Sequence, residues 1–333
     1  MKLSGKIILS LVLLFFAVFM LIVNCEKNAS SPEPAPYKGD YWETVHQPAE
    51  RITAIAANAA GNLLAGTDSS GIFSSSDRGK NWRKLPGNPQ GIYLILCSAG
   101  GTVYAAADSG KIFRTSLNAP DQEYLIPPSA PSRINDMQVA ADQSLLTATA
   151  SGLFRYSPQG WENLSSGLPD TSISAVLALP EGSLFAAAAD NSLYRNSSGT
   201  AAWIKLGDGL PAAVITGLAA NPSGDLFAAT YGAGAFVSSD IGQNWNAVNN
   251  GLTGKNLRTL IINSRGYLFA AAAEGVFGSI SSGGSWYSLD SGLSGLSVKQ
   301  LALDEYEYLY ALTDSGGIFR SVFSTVRVED PLR

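Results

Sequence analysis

One histidine, His46, and two cysteines, Cys25 and Cys97, are all the imidazoles and thiols that 333 residues hold. Without a second histidine or a cysteine cluster, neither a zinc site nor a Ser/His/Asp triad is available, and His46 is expected to be a surface loop residue. Charge is scarce too, at 15% of residues, and the balance is negative at −5. Neutralising a phosphate backbone needs a basic face, so the absence of any Lys/Arg cluster excludes a nucleic-acid binder. GLP, GDG and AGGT are turn glycines, and no phosphate-loop or dinucleotide fingerprint follows a strand and opens a helix. No cofactor and no metal are expected. An amphipathic period of 3.6 is missing from every segment after the first residues, which predicts almost no helix. What the chain does have is apolar residues, 46% of the total, enough to bury a large core.

The N-terminus has the order of an export signal: Lys2 and Lys6, an apolar run from Ile7 to Val23, then polar residues. An uncleaved anchor is the alternative, because the run sits at the lower edge of a membrane span. The end of the run, LIVNC, resembles a bacterial lipoprotein signal, which implies a lipid on Cys25 and an envelope protein tethered to a membrane. In such signals the residue before the cysteine is usually small, and Asn24 departs from that pattern. Residues 26–38 are rich in Pro, Ser and Ala without an apolar period, the composition of a flexible tether. Residues 39–326 are expected to form the folded body, and 327–333 a short tail. Cys97, in the apolar run YLILC, has no partner for an internal disulfide and is expected to pack in the core.

The body repeats. Seven pairs of aliphatic residues keep a spacing of eleven: Ile52 and Leu63, Ile92 and Val103, Ile134 and Leu145, Ile173 and Leu184, Ile215 and Leu226, Leu257 and Leu268, Val298 and Leu309. Successive units begin about 40 residues apart, the period of four-stranded propeller blades. Within each unit, β-branched, aromatic and small residues alternate with glycine-bearing turns, which predicts four short strands. GL pairs at Gly167, Gly209, Gly251 and Gly292 mark crossovers between units.

Six tryptophans fall at the start of fourth strands: Trp42, Trp82, Trp161, Trp203, Trp245 and Trp286. Tyr124 is expected to take that place in the second unit. The last unit, however, has three strands and no tryptophan, while Trp42 precedes the first unit altogether. The expected fold is therefore an all-β, seven-bladed propeller in which WETV, residues 42–45, returns to complete blade seven and removes the open edge of the ring.

SSDRGKNW (Ser75 to Trp82) and SSDIGQNW (Ser238 to Trp245) match SxDxGxxW, and SISSGGSW is a degraded copy with Ser281 in the aspartate position. The pattern resembles the Asp-box, or BNR repeat, of sialidases, sortilin-type receptors and photosystem II assembly factors of the YCF48 kind. That resemblance implies a structural turn built by Ser75, Asp77, Gly79 and Trp82, and again by Ser238, Asp240, Gly242 and Trp245, on the face away from the functional one. A sialidase would also need three arginines converging on a carboxylate, a Tyr/Glu nucleophile pair and an acid/base aspartate at the axis. Arg114, Arg155, Arg195 and Arg320 recur in third strands, off the axis, and the family's motifs cannot be matched residue by residue.

The remaining candidate is the face formed by loops between second and third strands and by the approaches to first strands. It carries Asp68, Asp108, Asp190, Tyr231, Glu274 and Asp314, with Arg258 and Lys299 at first strands. A ring of carboxylates there suits a cation or a basic peptide, although Asp, Ser and Gly also serve turn geometry. The resulting expectation is an exported, lipid-anchored monomer that binds an envelope protein or a glycan without catalysis. A glycan-active enzyme of sialidase type is the alternative, and a sensor propeller a third reading, set aside because no kinase follows Arg333 in this sequence.

Overall fold

The computed structural model describes residues 40–326, apart from 46, 47, 49, 59, 88, 119–120, 129–132, 198–201 and 294. The signal-like segment with Cys25, the tether, His46 and the tail at 327–333 lie outside the described residues. The chain divides between Lys38 and Gly39, and the described residues all belong to the unit beginning at Gly39.

Among the described residues there are twenty-eight strands and no helix, arranged as seven antiparallel sheets of four. The protein is a seven-bladed β-propeller. Six sheets take their strands in chain order, from first strand to fourth. Blade seven takes three from the C-terminal end, Val298–Leu303, Tyr308–Thr313 and Ile318–Ser324, and its outermost strand, Trp42–Thr44, from the N-terminal end. The register pairs Trp42 with Ser321, Glu43 with Arg320 and Thr44 with Phe319. First strands contact one another around the axis, blade seven against blade one included.

Five of the seven second strands are buried along their whole length, as in LLAGT at Leu63–Thr67 and LFAAA at Leu184–Ala188, and the other two at all but their first residue, because each sheet lies between two others. Small residues suit this crowding: a Cβ on Gly66 would lie 2.6 Å from the Ile92 side chain of the next blade. The core is divided among the junctions. At the closing one, Val45, Ile52, Ile55 and Leu63 pack against Tyr310, Leu312 and Ile318. Removing these side chains from water is the main source of stability in a ring without helices or disulfides among its described residues.

The tryptophans join blades through their indoles as well as by packing. Nε1 of Trp42 donates to the Leu289 carbonyl of blade six at 2.5 Å, as Trp286 does to Val248 at 2.6 Å and Trp203 to Leu164 at 2.9 Å. Trp42 thus occupies the place in blade seven that Trp286 occupies in blade six. The crossover glycines agree, since a Cβ on Gly209, Gly251 or Gly292 would strike the backbone oxygen of Trp245, Trp286 or Trp42 at 2.3, 2.3 and 2.7 Å. All three glycines also have positive φ.

Two expectations need correction. Tyr124 pairs with Phe113, two residues out of line, so the tryptophan position of blade two falls to Gln122, and Tyr124 is 51% exposed. Cys97 is only half-buried, at the margin of the cluster between blades one and two, where Asn58 Nδ2 donates to its Sγ at 3.5 Å. Burial pushes this thiol up to about 11, so it is protonated at neutral pH.

Candidate functional site

Every first strand begins with the same irregularity. The register shifts between its first and third residues in all seven blades, from Ile52/Ala54 in blade one to Val298/Gln300 in blade seven. A bulge of this kind frees one residue from the ladder and re-aims its side chain. The freed residues are Thr53, Tyr93, Asn135, Ser174, Thr216, Arg258 and Lys299, a polar ring at one end of the axis.

Most of this ring is engaged in joining blades. Thr53 Oγ1 donates to the Ile92 carbonyl, Asn135 Nδ2 to Ile173 at 2.7 Å, Ser174 Oγ to Ile215 at 2.9 Å and Thr216 Oγ1 to Leu257 at 2.9 Å. Arg258 Nη1 continues the pattern toward the Val298 carbonyl at 3.4 Å, and the Tyr93 hydroxyl accepts from Ile134 N at 2.9 Å. A second tier lies deeper along the first strands. Gln300 clasps both backbone groups of Ile55, closing blade seven onto blade one, and Gln138 does the same for Ala178. Asp136 accepts from Val176 N at 3.0 Å and Met137 N at 2.8 Å. The residue is half-buried with its carboxyl turned in among the blades, and that burial pushes it up to about 6 against the two backbone donors.

The predicted face residues do collect at the same end. Backbone hydrogen bonds tie the second-to-third loops to the approaches of first strands: Gly91 N to Asp68 O, Asp108 N to Gly91 O, Tyr231 N to Val214 O and Asp314 N to Ser297 O. Asp68, Asp108, Asp190, Glu274 and Asp314 are exposed, and Tyr231 is 58% exposed beside Val214. The carboxylates do not converge, and among the described residues no group of three could hold a metal ion. Asp190 closes its own turn by accepting from Ser192 N at 2.9 Å.

The cations of this end are closer together. Arg258 Nη1 meets both oxygens of Asp314, at 2.8 and 2.9 Å. Partial burial would raise the Asp314 carboxyl, but the hydrogen bond and charge of Arg258 with the charge of Lys299 hold it below the usual range. The Lys299 ammonium is depressed first by burial and then by Arg51, against the pull of Asp314, with Arg258 and Arg133 adding repulsion. Arg133 stacks over Tyr93, 4.1 Å from the ring centre, and burial raises the Tyr93 phenol. The sequence pattern does not mark Arg51 and Arg133, because each stands just before a strand; their only signal is adjacency to Ile52 and Ile134.

Third-strand arginines lie on the outer half of the blades. Arg114 pairs with Glu123, Arg155 with Glu162 and Arg320 with Glu43, each across the third and fourth strands, while Arg195 donates to Ser183 Oγ at 3.3 Å. At the opposite end, the SxDxGxxW turns are built alike. Ser75 Oγ donates to Asp77 at 2.7 Å and accepts from Gly79 N at 2.8 Å, and Asp77 accepts from Asn81 N at 2.8 Å. Ser238, Asp240, Gly242 and Asn244 repeat this set at 2.8 Å each. Backbone donation from Asn81, then its amide and Ser75, pull Asp77 down to about 2. Two clefts, of 510 and 630 Å³, open at this end too, the larger lined by Leu179, Pro222, Ile241 and Ile262.

No protein-family profile matches the chain, and no curated protein does. Solved structures match over most of its length. YCF48 bound to D1 peptide shares 14% identity over 86% of this chain and 98% of that one, with a TM-score of 0.67. YCF48 from Cyanidioschyzon merolae shares 14% over 84% and 98%, at 0.65. A catalytically inactive virginiamycin B lyase from Staphylococcus aureus with quinupristin shares 12% over 85% and 99%, at 0.70. At such identities the likeness is one of fold. It spans a peptide-bound propeller and a lyase, and the fold alone does not choose between binding and catalysis.

Proposed function

We propose that this protein is a non-catalytic binding or assembly platform of the bacterial cell envelope, recognising a protein or glycan through the axial face that carries the bulged ring. The ring itself carries this reading. Six of its seven side chains, all but Lys299, are engaged in inter-blade hydrogen bonds, which suits rigid presentation of a surface more than proton transfer. Asp68, Asp108, Asp190, Tyr231, Glu274 and Asp314 form the rim of that face, with Arg258 and Lys299 inside it. The turns at Asp77 and Asp240 act as structural Asp-boxes on the far face, and a lipid on Cys25 anchors the body, as a monomer, to the membrane.

Among the neighbours, YCF48 binds D1 peptide, which supports peptide recognition by this architecture. The lyase is inactivated by changing a histidine to alanine. The one histidine here, His46, stands two residues beyond the rim strand Trp42–Thr44, far in sequence from any first strand but that of blade one. A second reading, a sialidase-like enzyme, draws on the arginines gathered about Lys299. Against it, Tyr93 is bonded to backbone and stacked under Arg133, and no Tyr–Glu hydrogen bond occurs at this end among the described residues.

Affinity capture from envelope extract with the exported body as bait is the test. The platform reading expects a specific partner that is lost when Tyr231 and Glu274 are both changed to alanine. Hydrolysis of an aryl sialoside or other aryl glycoside, abolished by Arg258→Ala, would replace it with the enzyme.

A further inference from the structure

We infer that Arg51, Arg258 and Lys299 form an oxyanion site at the junction of blades six, seven and one, which takes a carboxylate or phosphate group of the ligand; the inference rests on the platform reading. Three observations carry it. The three cations come from three successive blades and gather about one turn of blade seven, residues 314–317. Arg258 reaches its Asp314 from blade six, and Arg51 approaches from blade one, where a Cβ on Gly316 would lie 3.3 Å from Arg51 Cγ. Lys299 stands between them, next to Val298, whose carbonyl faces Arg258 Nη1.

Charge is the second observation. The protein is acidic, at −5, yet this junction has three cations for one ion-paired carboxylate. Among the described residues neither Arg51 nor Lys299 has a carboxylate within salt-bridge distance. Cations assembled for structure alone are ordinarily matched by carboxylates, whereas an unmatched group at an axial opening raises the local concentration of anions. Half-burial of Lys299 strengthens this, because partial desolvation makes an incoming oxyanion a better partner than water.

Geometry is the third. The bulges free Arg258 and Lys299 from the ladder at the end of their strands where exposed Asp314 lies. Asp314 engages Arg258 through Nη1 only, which leaves the other edge of the planar guanidinium for a second, incoming oxyanion. Exposed Val214 and Tyr231, on blade five, offer apolar contact to the remainder of the ligand.

The experiment is calorimetric titration of the full chain with two probes, glucuronate and inorganic phosphate, at low and high salt. We expect saturable binding of at least one probe, weakened by salt and by about tenfold or more in Lys299→Met and in Arg51→Ala, the loss of one charge-assisted hydrogen bond. Arg51→Lys is expected to stay near wild type, as is Arg114→Ala, which alters an outer-strand pair. The probe that binds identifies the group as carboxylate or phosphate. Absence of binding by either probe, or equal binding by folded Lys299→Met and Arg51→Ala proteins, would overturn the site. Capture of an envelope partner without anion binding would leave the platform standing and sink this inference; anion binding without any partner would do the reverse.

Discussion

Asp136 is the residue whose chemistry departs furthest from its surroundings. Other blades place Ala54, Leu94, Ala175, Gly217, Thr259 or Gln300 at the third position of the first strand, and blade three places a carboxyl there. An unfolded aspartate titrates at 3.8, and Asp136 in the fold at about 6. Between these values the folded state binds more protons than the unfolded one, so stability falls as pH rises through the window and levels off above it. Asp136→Asn removes this dependence. Melting temperatures measured at intervals from about pH 4 to 7 should show the mutant gaining on the wild type as pH rises, with most of the change below about pH 6. A difference that stays constant across the window would mean that the carboxyl is not buried as described.

At the scale of strands and turns, the sequence is informative wherever one residue type answers one geometric need. The aliphatic residue opening each first strand is buried in every blade, and all seven strands begin on the residue the spacing picks out, Ile52 through Val298. The tryptophan at 42 is assignable to blade seven because an indole in the widening gap needs a neighbouring blade. Tyr124 is not placed in the same way, since aromatic character at a rim strand does not fix register: it lies two residues beyond the tryptophan position at Gln122, on the same face but further along the strand. The bulges are hidden for a different reason: the second position holds Thr, Tyr, Asn, Ser, Arg and Lys, which share hydrogen-bonding capacity but no shape. Once the bulge is seen, that polarity is its signature. The indole at the seam supplies the prediction at this scale. Trp42 is 3% exposed and bonded across to blade six, whereas Trp82 is half-buried. Trp42→Ala should cost about 3–5 kcal/mol in chemical denaturation, and Trp82→Ala clearly less. Equal losses would show that the seam is no tighter than any other outer strand.

For the molecule as a whole, the two ends of the axis are built differently. One end is made of turns whose polar side chains satisfy their own backbone: Asp77 and Asp240 with their serines, and Asn58, Asn221, Asn263 and Asp304 each accepting from two backbone N–H groups of the loop that follows. The other end leaves cations without carboxylates and a tyrosine in solvent, the groups that the proposed recognition would use. Closure connects the two. Arg78, in the first SxDxGxxW turn, stacks on Tyr306 and Tyr308 of blade seven, and Gln300 clasps Ile55 nearer the mouth. Arg51 meets Lys299 and the 314–317 turn only because blade one is held against blade seven. The ring of blades, and with it the cationic junction, depends on the strand Trp42–Thr44 taking its place beside Ile318–Ser324.

Hydrogen exchange followed by mass spectrometry on the full chain tests that dependence most directly. Val45 N donates to the Ile318 carbonyl and Val322 N to the Tyr41 carbonyl, so peptides covering residues 41–45 should exchange as slowly as those covering 318–322, and both should lose protection together when denaturant is added. Fast exchange at 41–45 beside a protected 318–322 would contradict the closed ring.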